Sequence, residues 1–237
     1  WPGLLAVALT ACAGGGEPPA PSGSPASAPL EALKEPANSM SVSPPLSPAP
    51  VSAEALAAYR ALLAGEPGAL DRPPEGLELH QVTLPPAEEL EYVLLDLDGD
   101  GGAELVVQMV AQPHQFNAVF HYGDGELSCW QYDIMEMSCR DYPLGDGAMV
   151  RQYDTGTGPN RYSNLYTVFR YLPDGETEEC ASLAVHQDTQ EDGTEVFTYL
   201  VDDAEVDQDT FAAEFEELVG SRLLSLEDWT PATERPG

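Results

Sequence analysis

The sequence predicts an α+β fold: an antiparallel β-meander sheet with an N-terminal and a C-terminal helix packed against it. Three observations predict it. Apolar residues recur at helical spacing at the two ends of the folded region. Between them, from Leu90 to Leu200, short apolar or alternating runs are separated by Asp-Gly pairs. The Asp-rich loop at 96–104 occurs once, so a β-propeller built from repeated copies is not supported.

The elements follow in chain order. Ser52 is a suitable helix N-cap, and Leu56, Tyr59, Leu62 and Leu63 then share one helical face until Gly65 and Pro67 stop the pattern. The Asp-Gly pairs at Asp100, Asp124, Asp146, Asp174 and Asp192 mark hairpin turns, because both residue types tolerate positive φ. They delimit strands near 91–96, 103–110, 116–122, 126–133, 148–154, 162–172, 177–186 and 194–201. After Asp207 the helical period returns with Phe211, Phe215, Leu218 and Val219 on one face, and Leu223, Leu224 and Leu226 are positioned to extend it. A sheet alone would leave one apolar face wet, so the helices are expected to cover it.

The remaining sequence is of another kind. Residues 1–12 read as the end of a lipoprotein signal peptide: Leu4 to Leu9 is apolar, and Leu9-Thr10-Ala11-Cys12 forms a lipobox in which Cys12 is the lipidated residue. The chain opens at Trp1 without Met or a basic segment, so the leader is expected to be truncated. Residues 13–51 are mostly Pro, Ala, Ser and Gly. Such a composition buries too little surface to offset the entropy of ordering, and it reads as a disordered tether spanning on the order of 35 Å. One domain over 52–230 follows, then a short disordered tail over 231–237.

Charge narrows the partners. Forty-one acids against nine bases give a net charge of -32. Nucleic acid is excluded as an expected partner, since binding it requires Lys and Arg to neutralise phosphates, and anionic headgroups repel the same surface. No run of about 18 apolar residues is present to form a membrane-spanning helix. The expected partners are a lipid anchor in the bacterial cell membrane and an extracellular ligand, with the protein itself a monomer.

The segment with the clearest chemistry is Asp96-Leu-Asp-Gly-Asp-Gly-Gly-Ala-Glu104, set between Glu91-Tyr-Val-Leu-Leu95 and Leu105-Val-Val-Gln-Met-Val110. It caps a hairpin. In the ligand order of an EF-hand loop, Asp96, Asp98 and Asp100 are positions 1, 3 and 5, Gly101 turns the backbone, Gly102 offers its carbonyl at position 7, and Glu104 stands at position 9. Position 12 is Val107, where an EF-hand carries a bidentate Glu. A fixed structural calcium ion, with the weak affinity of extracellular modules, is therefore expected rather than a sensor.

Rival chemistries use some of the same residues. Leu94-Leu-Asp-Leu-Asp-Gly99 resembles the first motif of haloacid dehalogenase phosphotransferases, with Asp96 as nucleophile and Asp98 as acid/base. Asp100 replaces that motif's Thr, no Lys lies downstream, and the following strands read as a meander. Asp154-Thr-Gly156 resembles an aspartic protease signature, but no second copy supplies the partner carboxylate, and Asp154 to Pro159 reads better as a glycine-rich loop. Among Cys129, Cys139 and Cys180 one disulfide is expected in an exported chain, with Cys129–Cys139 the first choice. The four histidines show no metal-ligand spacing. Tyr122, Trp130, Tyr132, Tyr162, Tyr166, Phe169 and Tyr171 lie in strands, where core packing is the commoner use and a ligand-stacking face the alternative.

The lipobox, the Pro/Ser tether, Ala58-Tyr-Arg-Ala-Leu-Leu-Ala-Gly-Glu66 and the Asp96–Glu104 hairpin together resemble a family of secreted lipoproteins of gut-dwelling Gram-positive bacteria, whose D-x-D-x-D-G-x-x-E loop is also seen in FG-GAP and integrin-like repeat proteins. Phe120-His-Tyr-Gly-Asp-Gly-Glu-Leu127 and Val201-Asp-Asp-Ala-Glu-Val-Asp-Gln-Asp-Thr-Phe211 fit the same pattern, so the resemblance covers most of 52–220. It implies a calcium-loop hairpin and no particular activity. The expected function is a membrane-anchored, extracytoplasmic, non-catalytic binding module stabilised by calcium. The alternative is a calcium-dependent, glycosidase-like hydrolase with two carboxylates about 5–10 Å apart in an acidic cleft.

Overall fold

The computed structural model describes residues 49–111, 117–132, 139–158, 160–234 and 236. Cys12, the signal-peptide segment and residues 13–48 of the tether lie outside them.

The Ser52 hydroxyl accepts from the Ala55 N–H at 3.0 Å and starts helix α1, Ala53–Leu63, which buries Ala55, Tyr59 and Leu63 one turn apart. Four strands follow: β1 (Leu90–Leu95), β2 (Glu104–Met109), β3 (Asn117–Gly123) and β4 (Glu126–Tyr132). A second set of strands comprises β5 (Cys139–Pro143), β6 (Met149–Gly158), β7 (Arg161–Tyr171), β8 (Thr177–Thr189), β9 (Glu195–Val201) and β10 (Ala204–Val206). Helix α2 (Gln208–Leu218), N-capped by Asp207 through the Thr210 N–H at 2.8 Å, precedes a short β11 (Thr230–Pro231).

The α+β class holds, but the strands form two antiparallel sheets rather than one, in the orders β11-β1-β2-β3-β4 and β10-β9-β8-β7-β6-β5. Side-chain alternation explains why both are needed. On one face of the first sheet Leu90, Tyr92, Leu105, Val107, Ala118 and Phe120 pack with α1. On the other, Val93, Leu95, Val106 and Val119 meet Met149, Phe169 and Tyr171 of the second sheet. Strand β2 is thus covered on both faces and reads as a continuous apolar run instead of an alternation. Helix α2 takes the outer face of the second sheet, with Phe215 edge-on to Tyr166 at 5.1 Å and Phe211 against Tyr199 at 5.3 Å.

Turn chemistry sets the hairpins. Asp124 and Gly125 both have positive φ in the two-residue turn joining β3 to β4. Asp202 and Asp203 do the same between β9 and β10, a hairpin that Asp-Gly counting overlooks because Asp alone can adopt this conformation. Helix α2 ends at Leu218, and Leu223 bridges Leu144 instead of extending it. Described residues of the terminal segment expected to be a disordered tail are packed: Pro231 pairs with Glu91, Ala232 is buried and donates to the Leu90 carbonyl, and Arg60 Nε donates to the Pro236 carbonyl at 2.6 Å.

The β5–β6 turn ties the second sheet to the end of α2. Arg222 donates to both Asp146 oxygens at 2.8 and 2.7 Å, and Arg170 to one at 3.0 Å. Burial works against the Asp146 carboxylate, but the Arg222 hydrogen bond and charge outweigh it and hold its pKa below 3.8. A depressed carboxylate pKa contributes stability above the unfolded value that is lost as pH falls through the folded one. Asp146→Asn is therefore expected to be less stable than wild type at pH 7, with the difference closing as the pH drops below 3.8, read by denaturant melts across that window.

Candidate metal centre

The β1–β2 connection is an eight-residue loop between the paired Leu95 and Glu104. Leu97, with no exposed surface, anchors it in the core between the sheets. Gly99 and Gly101 take φ of 77° and 89°, which lets the backbone fold around the carboxylates. Asp96 accepts the Gly99 N–H at 2.7 Å on one oxygen and the Gly101 N–H at 3.1 Å on the other. Asp98 accepts from Asp100 N–H at 3.0 Å, and Asp100 from Gly102 N–H at 2.6 Å. Each bond fixes an oxygen while leaving it lone pairs.

These bonds bring Asp96, Asp98 and Asp100 together, with one carboxylate oxygen from each lying within 4.8 Å of the others. The Asp98 Oδ2 atom is sealed from solvent and has no hydrogen-bond partner. Burial raises the Asp98 pKa, and the charge of Asp100 adds to the rise against the N–H it accepts from the same residue. A buried, unpartnered carboxylate oxygen beside two further carboxylates is costly by itself and is relieved by a cation.

Glu104, expected at the ninth ligand position, pairs with Leu95 where the loop closes. Its side chain is buried, with Oε2 accepting the Leu97 N–H at 2.7 Å and Oε1 bonded to His121 Nδ1 at 2.9 Å. It belongs to a second possible ligand group, Asp98, Glu104 and His121, which shares Asp98 with the first. Burial raises the Glu104 pKa against the His121 and Leu97 hydrogen bonds that lower it. For His121, burial opposes the charged form, yet the Glu104 hydrogen bond and charge prevail and raise its pKa. Gly102 follows the carboxylates, and Val107 is wholly buried against α1, so no twelfth ligand comes from this hairpin.

His121 carries no signal at the level of histidine spacing, since no other histidine stands at a metal-ligand interval from it. The signal was in strand register: Leu105 pairs with Phe120, which sets His121 beside Glu104 across the β2–β3 ladder. The loop is further held by the Tyr59 hydroxyl, which donates to the Ala103 carbonyl at 2.8 Å.

The other sequence candidates separate. Cys129 lies in β4 and Cys139 in β5, on different sheets, and no disulfide joins them. Burial pushes the Cys129 thiol up to about 12, an inert state. Trp130, Tyr171 and Phe169 stack among themselves and on His121 in the sheet interface, while Tyr166 lies under α2, so these four aromatics are packing residues. Asp154-Thr-Gly156 is part of β6, not a loop, and Asp154 accepts from Gln152 and Asn164. The described strands pair antiparallel, so the parallel frame of a haloacid dehalogenase is missing around Asp96. A groove of about 980 Å³ between the end of α1 and residues 79–88 is lined mainly by Leu, Val, Ala and Pro side chains.

No family model, curated protein or solved structure matches this chain.

Proposed function

We propose that the Asp96–Glu104 loop holds one structural calcium ion in a lipid-anchored, extracytoplasmic, non-catalytic binding module. The observation that carries the calcium reading is the buried, unpartnered Asp98 Oδ2 between the carboxylates of Asp96 and Asp100. Oxygen donors at this density suit a hard cation. Asp96, Asp98 and Asp100 would hold the ion with the Gly102 carbonyl, and Glu104, clamped by His121 and Leu97, stands at the ninth position either directly or through water. The ion supplies fixed positive charge, not redox or acid-base chemistry. Absence of the twelfth ligand favours a staple over a switch.

Calorimetric titration tests it. Calcium is expected to bind with one site, at a Kd of roughly 10⁻⁴ to 10⁻³ M, and Asp98→Asn to abolish the heat. A preference for zinc over calcium would place the ion instead on the Asp98, Glu104 and His121 set, whose imidazole nitrogen suits a transition metal.

The anchored location is supported by the lipobox at Cys12 and the Pro/Ser-rich stretch after it. Expression of the natural precursor in a Gram-positive host is expected to give membrane-bound, acylated protein, and Cys12→Ala to release it into the medium. Equal partitioning of the two would remove the anchor.

A further inference from the structure

Strand pairing builds a second donor group beside the acidic loop. Glu104 opens β2, and the β2–β3 register that pairs Leu105 with Phe120 puts His121 next to it. With Asp98 from the loop, these side chains offer three donor atoms that all lie within 4.8 Å of one another. One edge of the group is shorter: His121 Nδ1 and Glu104 Oε1 stand 2.9 Å apart. Ligands bonded at about 2.0–2.2 Å to a shared ion, in neighbouring positions, are separated by about 3 Å, so this edge already has coordination length.

The imidazole is fixed in place by packing. Trp130 stacks on its face with ring centroids 4.3 Å apart and an interplanar angle of 11°, and Tyr171 stacks on Trp130 in turn at 5.2 Å. Its edge is fixed too. Nε2 lies so close over Gly123 that a side chain there would collide with it, while Nδ1 faces Glu104. Glu104 cannot swing away, because its other oxygen accepts the Leu97 N–H at 2.7 Å and its side chain is 2% exposed. Ligands held by their neighbours in this way are what a metal site requires.

Charge and donor type choose the ion. Glu104, Asp98 and Asp100 all present negative charge to His121. Asp96, Asp98, Asp100 and Glu104 carry four negative charges in two groups joined at Asp98, and one calcium ion compensates two of them. A second dication compensates the remainder. Asp98 has an oxygen for each ion: Oδ1 is tied to the loop by the Asp100 N–H, and the sealed Oδ2 has no hydrogen-bond partner. The nitrogen donor separates the two groups, since calcium takes oxygen ligands whereas imidazole with carboxylates suits zinc and its neighbours in the transition series.

We propose that Asp98, Glu104 and His121 bind a zinc-class transition-metal ion alongside the calcium ion, with Asp98 bridging the two. The ion takes the place of the hydrogen between Nδ1 and Oε1, the imidazole binding as its Nε2–H tautomer. Three protein donors leave the other coordination positions to water.

This proposal rests on the metal-centre reading of the loop, and its test separates the two ions. Zinc is titrated by calorimetry into the calcium-saturated whole protein, with Cys139 and Cys180 alkylated so that free thiols do not compete. One zinc per chain is expected to bind without displacing calcium. His121→Gln, which keeps a donor to Glu104, and Glu104→Gln are each expected to weaken zinc by at least about 100-fold, with calcium binding retained in the His121 variant. Asp96→Asn is expected to do the reverse, losing calcium and keeping zinc. Cobalt reports the place: at Nδ1 it lies beside the ring stacked on Trp130, so it is expected to quench that indole's fluorescence in wild type and not in His121→Gln. Calcium binding with no zinc uptake would overturn the second ion and leave the calcium reading intact. One-for-one displacement of calcium by zinc would overturn both. Zinc affinity equal to wild type in the His121 and Glu104 variants would put the ion on other groups and overturn this site alone.

Discussion

Gly147→Ala is expected to destabilise the protein by about 3 kcal/mol, among the largest effects of any single methyl group here. Gly147 has a φ of 84°, and a Cβ at this position would stand 2.0 Å from the Asp96 carbonyl oxygen and 3.1 Å from its carbon. Both neighbours are backbone, so no side chain can rotate away. Asp96 begins the acidic loop of the first sheet, while Gly147 closes the β5–β6 turn of the second, donating its N–H to Leu144 at 3.0 Å. The methyl must therefore part the two sheets or distort the loop. Gly193→Ala separates the two components of the effect: its φ is 83°, yet nothing lies within 4 Å. It should cost only the left-handed conformational penalty of about 1 kcal/mol. Guanidinium unfolding of both variants measures the difference, and equal midpoints would mean the loop and turn do not meet.

That contact shows where sequence reading stops. Most elements are visible locally: the Ser52 and Asp207 caps, the two helical faces, eight strands and the Asp-Gly turns follow from short-range chemistry, while the short β5, β10 and β11 carry no such signal. The division into two sheets is not visible locally, because a meander pattern is the same whether strand β5 joins the first sheet or begins a second. The apolar continuity of Leu105-Val106-Val107 was the available signal, since a strand packed on one side only would alternate. The site divides in the same way. Asp96, Asp98 and Asp100 were legible because their spacing is local, and the structure brings their oxygens together. His121 was not, because it reaches Glu104 only through pairing of β2 with β3. Cys129 and Cys139 are close in sequence, but closeness in sequence does not make β4 and β5 neighbours: they belong to different sheets, and no disulfide joins the two cysteines.

Saturating calcium is expected to raise the melting temperature by roughly 5–10 °C. For a Kd near 10⁻⁴ M, 10 mM calcium is about a hundred-fold excess, and binding to the native state alone then contributes about 2.7 kcal/mol. In a domain of this size each kcal/mol shifts the midpoint by about 2–4 °C. The origin of the gain is local. Without the ion, the loop holds three carboxylates close together, with the buried Asp98 Oδ2 unpartnered. Asp98→Asn removes that charge while keeping the side chain's shape. The variant is therefore expected to melt at or above wild type in chelator, and below wild type in calcium. This reversal of order distinguishes an ion site from an acidic turn. In a bare turn, neutralising Asp98 would help equally under both conditions, and calcium would leave the two curves in the same order. Magnesium at the same concentration is the control for ionic strength, since it sheds its waters reluctantly and demands an octahedral cage that this hairpin, lacking a twelfth ligand, does not supply. Differential scanning calorimetry of the two proteins in chelator, calcium and magnesium decides the matter: parallel curves in all three would leave the acidic loop as a solvated turn, and crossed curves would make it the joint that calcium locks between strands β1 and β2.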